Sequence, residues 1–254
     1  MSNVGAKNIN SNFFDGYYKD IWRMLMPDVL TKAEVDYLVN EAQLEPGDKV
    51  LDLMCGYGRH ALLLARLGVN VTAVDNLIDY VNEIKEIAQK ERLPITALQE
   101  DVTQFQSRVE YDLVVCMGSS LSFFNLDESK KLFSSIESSL AQGGKFIFNT
   151  WMVTEIALKQ FQEKAWSYVG DLRYLVDSKY LFSPARIETE TIMTGKGGDI
   201  ERKTSVDYIY SLNETENMLN SAGLKLKEIW SIPGKKRFAL GQPRAYIVAE
   251  KAKP

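Results

Sequence analysis

Hydrophobic positions in the middle of the chain alternate between two periods. Segments with an apolar residue every three or four positions are typical of helices, and they lie at 58–67, 77–92 and 127–140. Short, nearly continuous apolar runs are typical of buried strands, and they lie at 49–53, 70–74, 95–99, 111–116 and 145–149. Strands that alternate with helices form right-handed βαβ units, which build a parallel sheet with helices on both faces. The pattern therefore predicts an α/β fold.

The N-terminal segment, residues 1–45, carries a different pattern. Aromatic residues recur at helical spacing between Phe13 and Trp22, and Pro27 interrupts them. Thr31 is followed three residues later by Glu34, the spacing of a capping box, so we expect a second helix to begin at Thr31. These features predict a helical cap in front of the α/β domain.

Past Trp151 the chain changes to the period of a strand. Apolar and polar residues alternate within 166–210, and the glycine-rich stretch from Thr194 to Asp199 predicts the tip of a hairpin. A helix is expected at 214–222, followed by strands at 224–230 and 245–250. We therefore predict an antiparallel β insertion at 166–210, set between two parts of the α/β domain at 46–165 and 211–254.

Composition and charge exclude several classes of protein. Hydrophobic residues make up 45% of the chain and charged residues 25%, and no apolar run approaches the roughly 18 residues that suggest a membrane span. The N-terminus lacks the basic and apolar regions of a secretory signal, so we expect a soluble, cytoplasmic protein with no membrane partner. The net charge of −4 disfavours nucleic acid as a partner.

Cysteine and histidine are scarce. Cys55 and Cys116 are the two cysteines, and His60 is the single histidine. Two cysteines so far apart do not make the disulfide framework of a secreted domain. The three residues also lack the paired spacing of a metal site. The sequence therefore predicts reduced cysteines and no bound metal.

A glycine-bearing turn follows the first predicted strand. In Gly56-x-Gly58-x-x-Ala61 the glycines allow close approach of a ligand, and the following helix N-terminus offers free N–H groups. This pattern also fits the dinucleotide fingerprint, and Asp75 after the second strand suits ribose hydroxyls in either case. Asp101 and Val102 help to distinguish a dinucleotide site from a site for another ligand that contains adenosine. A carboxylate beside a backbone N–H matches the polar edge of adenine.

Four successive segments resemble the motifs of class I S-adenosylmethionine-dependent methyltransferases. They are VLDLMCGYGRHALLLARLGVNVTAVD, QEDV, YDLVVCMGSS and LAQGGKFIFNTW, and the likeness extends over roughly residues 35–150 and more loosely to YIVAEK near the end. The resemblance implies a Rossmann-like, mostly parallel seven-stranded sheet. It also implies that the ends of the first and fourth strands are neighbours, so that Cys116, Met117 and Gly118 face the reactive centre.

The same resemblance implies S-adenosylmethionine as the cofactor and assigns residues to its parts. The methionine part would contact the turn after the first strand, with Asp52 near its ammonium group. The ribose would lie at Asp75, and the adenine at Asp101 and Val102. The other expected cofactor contacts are Tyr18, Met54, Cys55, Gly56, Gly58, Asn76 and Met117. Met54 stands where the family normally has glycine, which leaves the backbone angle there open, and a residue with a negative φ could fit.

Methyl transfer to nitrogen or oxygen of a small molecule is the leading functional hypothesis. Similar enzymes often carry an antiparallel insertion over the substrate, and 166–210 has the matching position. Tyr18 and His60 are the candidate catalytic residues, although positioning alone accounts for much of the acceleration in such a displacement. The protein is expected to be a monomer or homodimer. The alternatives are a nicotinamide-dependent oxidoreductase and a non-catalytic module that binds S-adenosylmethionine.

Overall fold

The computed structural model describes residues 8–195 and 197–252, which form seven α-helices and twelve strands. The helices are α1 (Tyr17–Leu25), α2 (Asp28–Ala42), α3 (Arg59–Arg66), α4 (Ile78–Glu91), α5 (Leu126–Ser139), α6 (Thr154–Gln160) and α7 (Leu212–Ser221). Short 3₁₀ turns lie at Ile9–Asn12 and Ser120–Phe123. Among the described helices, none has the length and apolar character needed to cross a membrane.

Eight strands form the main sheet. They are β1 (Lys49–Leu53), β2 (Asn70–Asp75), β3 (Ile95–Gln99), β4 (Tyr111–Cys116), β5 (Leu140–Thr150), β10 (Leu224–Ile232), β11 (Lys236–Arg237) and β12 (Ala245–Lys251). Their order is β11-β10-β12-β5-β4-β1-β2-β3. The pairs among β1 to β5 are parallel, whereas β12 is antiparallel to both its neighbours. The α/β prediction is confirmed, as is the adjacency of β1 and β4, and the two-residue β11 is an eighth strand that the sequence did not predict.

Apolar residues cover both faces of this sheet, which is why its strands are almost continuously hydrophobic. On one face α5 and α7 pack over a cluster that includes the stacked rings of Phe146 and Phe148, whose centroids are 4.9 Å apart. On the other face Leu38 of α2 and Leu64 of α3 are fully buried against the strands. The helix α2 therefore belongs to the packed core of the domain, although it lies in the segment predicted as a separate cap.

The four remaining strands form a second, antiparallel sheet in the order β6-β7-β8-β9. They are β6 (Lys164–Val169), β7 (Leu172–Phe182), β8 (Ala185–Thr194) and β9 (Ile200–Tyr208). The residues between β8 and β9 form the predicted hairpin tip, of which Lys196 lies outside the described residues. The strands occupy nearly the same residues as the predicted insertion.

The N-terminal segment departs from its predicted structure in two places. Residues 13–16 are not α-helical, and α1 begins only after Gly16, which has a φ of 58°. The second helix begins at Asp28, directly after the extended Pro27, so the predicted start at Thr31 is wrong. A proline cannot donate a hydrogen bond and suits the start of a helix. Thr31 and Glu34 consequently lie inside α2 and are buried.

Gly58 is required by packing where α3 meets α4. Its φ is 77°, and a Cβ atom there would lie 2.7 Å from Cγ1 of Ile84. Gly56 is also left-handed, with a φ of 56°, but a Cβ there would meet nothing within 4 Å. We expect Gly58→Ala to lower the free energy of unfolding by about 2–4 kcal/mol, and Gly56→Ala by about 1 kcal/mol. Urea unfolding of both variants measures this difference, and equal losses would contradict the packing argument.

Candidate functional site

A cavity lies at the carboxyl ends of β1, β2, β3 and β4. In a parallel sheet the carboxyl ends of the strands meet at one edge, and ligands bind outside that edge. Each of these strands contributes to the wall through a residue in its last two positions or just after it: Asp52, Asp75, Asp101 and Met117. The cover comes from the N-terminal segment, through Asn10, Ser11, Phe14 and Trp22.

Most of the site residues predicted from sequence line this one cavity. They are Asp52, Met54, Cys55, Gly56, His60, Asp75, Asn76, Asp101, Val102 and Met117. Gly58 and Tyr18 are not among the lining residues that the structure describes. Gly118 lines the cavity, but the expectation that Cys116 faces it is wrong, because Cys116 is fully buried in the core.

Asp52 is a buried carboxylate with an unsatisfied oxygen. The residue is 1% exposed, and its Oδ2 atom has no hydrogen-bond partner in the described part of the chain. Burial raises its pKa to about 7, an effect that nearby Asp75 strengthens and Arg59 opposes. A buried acceptor without a donor costs free energy, so the fold retains here a group that suits a cationic ligand.

We expect Asp52→Asn to stabilise the ligand-free protein. The folded pKa lies above the unfolded value of 3.8, so the wild-type protein loses stability as pH rises from about 4 to 7. Asparagine removes this loss, which is at most about 4 kcal/mol. Thermal unfolding at several pH values should show that the stability of the variant relative to wild type increases across that range. Asp36→Asn, on the exposed face of α2, is the control, and an equal gain there would contradict the assignment.

Asp75 ends β2 and fixes the turn that follows β1. Its Oδ2 atom accepts a hydrogen bond from the backbone N–H of Gly56 at 2.8 Å, and Oδ1 accepts one from Leu77 at 2.9 Å. The side chain is nearly buried, and burial raises its pKa despite these hydrogen bonds. Each carboxylate oxygen has two acceptor positions, so Asp75 can hold the glycine turn and still bind ligand hydroxyls.

Asp101 and Val102 close the other end of the cavity. Oδ1 of Asp101 accepts hydrogen bonds from the backbone N–H and the hydroxyl of Thr103, at 2.9 and 2.8 Å. These contacts fix the carboxylate at the exposed rim, while the side chain of Val102 is 6% exposed. The pair therefore offers an apolar surface with a hydrogen-bond acceptor beside it, which is what a planar heterocycle with an amino group requires.

Met54 has a left-handed backbone conformation, with a φ of 53°. The residue therefore does not take the negative φ that a side chain favours. The turn after β1 keeps the conformation that favours glycine even though a side chain is present, at a cost of about 1–2 kcal/mol. Non-glycine residues in this region persist where the surrounding structure imposes them, often at ligand sites.

Tyr18 lies one layer behind the cavity wall. Its ring centroid is 5.3 Å from that of Phe14 and 6.4 Å from that of Trp22, and both of those residues line the cavity. Burial raises the pKa of Tyr18 well above its usual value, and its hydroxyl interacts with Tyr174 of β7. The structure thus places Tyr18 between the cavity cover and the second sheet, in contrast to the contact expected from sequence.

The N-terminal segment is fixed to both sheets. Asn10 exchanges two hydrogen bonds with the backbone of Val206 on β9, at 2.8 and 2.9 Å. On the other side, the backbone carbonyl of Ser11 accepts a hydrogen bond from Asn76 at 2.8 Å. The cover is therefore held between the edge of the second sheet and the end of β2. Sequence reasoning missed Asn10 and Ser11 because polar residues without periodicity give no signal of a contact.

Glu34 of α2 is the centre of a buried polar network under the cavity. Its carboxylate accepts hydrogen bonds from Arg59 at 2.6 Å, His60 at 2.9 Å, Tyr246 at 2.7 Å and Asn149 at 3.3 Å. Burial opposes its ionisation, but the hydrogen bond from His60 and the charge of Arg59 outweigh burial and lower the pKa to about 2. Glu34 is thus an anion that fixes two cavity-lining residues, Arg59 and His60.

His60 is a neutral imidazole at neutral pH. Burial lowers its pKa, and the adjacent Arg59 lowers it further against the opposing effect of Glu34. Because an ionised Glu34 can only accept, Nε2 of His60 carries the proton and Nδ1 keeps its lone pair. The network also reaches the turn after β4, since Oδ1 of Asn149 accepts the backbone N–H groups of Gly118 and Ser119 at 2.7 and 3.2 Å.

Comparisons with known proteins identify one kind of domain. Residues 50–144 match the family model described as a methyltransferase domain. A putative methyltransferase of Geobacillus sp. (strain WCH70) is 25% identical over 213 residues, which cover 80% of this chain and 84% of that protein. A ubiquinone biosynthesis O-methyltransferase of Rickettsia typhi is 33% identical over 92 residues, or 35% of this chain. That second match spans only 37% of the Rickettsia protein.

The fold has close counterparts among solved structures. The crystal structure of an S-adenosylmethionine-dependent methyltransferase from Clostridium acetobutylicum superposes with a TM-score of 0.81. The superposition covers 95% of this chain and 99% of that one, at 18% sequence identity, so it establishes the fold. The chain therefore contains a methyltransferase domain at 50–144 and has, as a whole, the fold of class I S-adenosylmethionine-dependent methyltransferases.

Proposed function

We propose that this protein transfers a methyl group from S-adenosylmethionine to nitrogen or oxygen of a small molecule. The observation that carries the proposal is the row of carboxylates Asp52, Asp75 and Asp101 at the ends of three neighbouring strands, all lining one cavity. A cofactor with an ammonium group, a ribose and an adenine needs three such acceptors in that order. The unsatisfied Oδ2 of Asp52 is the acceptor that suits the ammonium group.

The residues around Asp52 suit the rest of the methionine part. Arg59 lines the cavity beside it and is held by Thr31 at 2.9 Å and by Glu34. A guanidinium fixed in this way is suited to a carboxylate, to which it donates in a planar geometry. Tyr57, Gly56 and Met54 complete this end of the cavity. When bound, S-adenosylmethionine supplies a methyl group on positively charged sulfur, already activated for transfer.

Protein groups at the same end would position the acceptor. Met117, Gly118 and Ser120 follow β4, and Trp22 lies above them, with its Cζ2 atom 3.4 Å from the position of a Cβ on Gly118. The backbone of this turn is fixed by Asn149, so an acceptor held against it would keep a constant distance from the cofactor. His60, a neutral imidazole among the residues that line the cavity, is a candidate proton acceptor.

A small-molecule acceptor is favoured by the enclosure of the cavity. The N-terminal segment covers it and is anchored to β9, so a folded macromolecule has no flat surface on which to dock there. We assign the described N-terminal residues before α2 as the cover, and the second sheet, predicted at 166–210, as the lid. The cofactor domain consists of the described residues within 46–165 and 211–254 together with α2, which packs in its core. The Rickettsia relative is named an O-methyltransferase, which supports oxygen as one of the two acceptor atoms proposed here.

Calorimetric titration of the wild-type protein tests the proposal. We expect saturable binding of S-adenosylmethionine and S-adenosylhomocysteine at one site and no heat with a reduced nicotinamide dinucleotide. Binding of the nicotinamide compound alone would support the oxidoreductase alternative, for which Asp75 is equally suited. Binding of S-adenosylmethionine without turnover over a broad panel of amines and alcohols would support a non-catalytic module.

A further inference from the structure

The lid sheet carries a carboxylate that the proposed cofactor site does not use. Asp207, on β9, accepts a hydrogen bond from the hydroxyl of Ser122 at 2.6 Å. Ser122 lies in the 3₁₀ turn between Ser120 and Phe123, and both of those residues line the cavity. Asp207 therefore lies beside the cavity wall, on the side of the second sheet.

No positive charge compensates this carboxylate in the described part of the chain. Its neighbours from the packed elements are the hydroxyls of Ser122, Tyr18 of α1 and Tyr174 of β7, all neutral at pH 7. Lys203, on the same strand, is engaged by Asp15 and Glu201. Burial raises the pKa of Asp207 to about 6, an effect that Ser122 partly offsets. Asp207 is half-buried, next to the turn whose residues Ser120 and Phe123 line the cavity.

An anion without a cation is unfavourable in a fold unless a ligand supplies the missing charge. The surroundings favour an ammonium group in particular. The carboxylate can accept hydrogen bonds from an ammonium group, and the aromatic rings of Tyr18 and Tyr174 lie close to it, with their centroids 6.2 Å apart. A neutral alcohol would leave the charge of Asp207 uncompensated.

We propose that Asp207 binds a protonated amine of the methyl acceptor and takes one proton from it. This inference rests on the proposed function and narrows its acceptor class from nitrogen or oxygen to amines. The proton moves from the ammonium nitrogen to a carboxylate oxygen of Asp207, and the nitrogen regains the lone pair that methyl transfer requires. The methylated amine leaves as a cation, and the proton on Asp207 is released to water, so charge and atoms balance.

Nuclear magnetic resonance of protein labelled with ¹³C at aspartate carboxyl groups tests the inference. The Asp207 resonance is assigned by its loss in Asp207→Asn, and its titration midpoint is measured with and without millimolar methylammonium chloride. We expect the midpoint to fall by about one pH unit, a tenfold stronger binding of the amine to the ionised form. Methanol and potassium chloride at equal concentration should leave it unchanged. An unchanged midpoint with methylammonium would overturn the inference.

Two comparisons make the result specific. Ser122→Ala should raise the midpoint of Asp207, because it removes a hydrogen bond to the charged form. Asp177, exposed on β7 and paired with Lys164, is the internal control, and its midpoint should not respond to methylammonium. A response at Asp177 equal to that at Asp207 would also overturn the inference, since it would reflect non-specific screening.

Calorimetry separates this inference from the proposed function. We expect Asp207→Asn to bind S-adenosylhomocysteine with the affinity of wild type, because Asp207 does not line the cofactor cavity. If wild type fails to bind S-adenosylhomocysteine, the proposed function fails. If wild type binds S-adenosylhomocysteine and the titration midpoint of Asp207 does not change with methylammonium, only the amine assignment fails.

Discussion

Replacing Asp75 with alanine is expected to weaken S-adenosylmethionine binding about a hundredfold. The carboxylate would accept two hydrogen bonds from ribose hydroxyls, and hydrogen bonds to a charged group contribute about 1.5 kcal/mol each. Alanine also frees the backbone N–H groups of Gly56 and Leu77 that Asp75 now holds, which loosens the turn against which the methionine part would lie. Calorimetry of the purified variant gives the dissociation constant directly.

Two further variants distinguish binding from folding in this experiment. Asp75→Asn keeps one acceptor oxygen and should retain more affinity than the alanine variant. Asp79→Ala removes a carboxylate whose side chain is 71% exposed on α4, and it should bind as wild type does. An Asp75→Ala protein that unfolds like wild type and binds S-adenosylmethionine equally well would remove the central support for the cofactor assignment.

Replacing Glu34 with glutamine is expected to produce the largest loss of stability, about 3–5 kcal/mol at pH 7. Arg59, with a side chain that is 8% exposed, would then be a buried cation without its partner. His60 and Tyr246 would also lose the charged acceptor to which they donate. Urea unfolding at pH 7 measures the loss.

The loss should depend on pH in a definite direction. The folded pKa of Glu34 is about 2 and its ordinary value is 4.5, so ionised Glu34 favours the folded state above pH 4.5. That contribution, about 3 kcal/mol, disappears as pH falls from about 4.5 to 2. The difference in the free energy of unfolding between wild type and Glu34→Gln should therefore become smaller as the pH falls through that range. Glu190→Gln, which breaks an exposed pair with Arg202, should show no such trend, and a constant difference for Glu34→Gln would refute the assignment.

The results expected for Glu34→Gln and Asp52→Asn concern opposite kinds of buried carboxylate. Glu34 has four hydrogen-bond donors, and its charge stabilises the fold. Asp52 lacks a donor at Oδ2, and its charge destabilises the ligand-free fold. The structure therefore separates a carboxylate that organises the site from one that is available to a ligand. That separation supports reading the cavity as a binding site rather than a packing defect.

The amino-acid sequence by itself determined the architecture of the main sheet and the residues at its carboxyl edge. Buried parallel strands need continuous apolar residues, and the helices that cover them need apolar residues with a period of 3.6. Both patterns are local, so they can be recognised in the sequence. The carboxylates Asp52 and Asp75 lie in the last two positions of such strands, and Asp101 and the turn with Gly56 follow them. Parallel topology then brings them to one edge without further information.

Only the tertiary structure decided which other groups meet that edge. Glu34 lies 115 residues from Asn149 and 212 from Tyr246, and no local pattern indicates that they share a hydrogen-bond network. The same holds for Ser122 and Asp207, and for Asn10 and the backbone of Val206. Tyr18 was expected at the cavity but lies one layer behind its wall. Helical spacing indicates the face of the helix on which an aromatic residue lies, but not the layer in which it packs. Contacts between distant segments depend on how whole elements pack, which is why the cover, the polar network and the lid carboxylate appeared only in the folded chain.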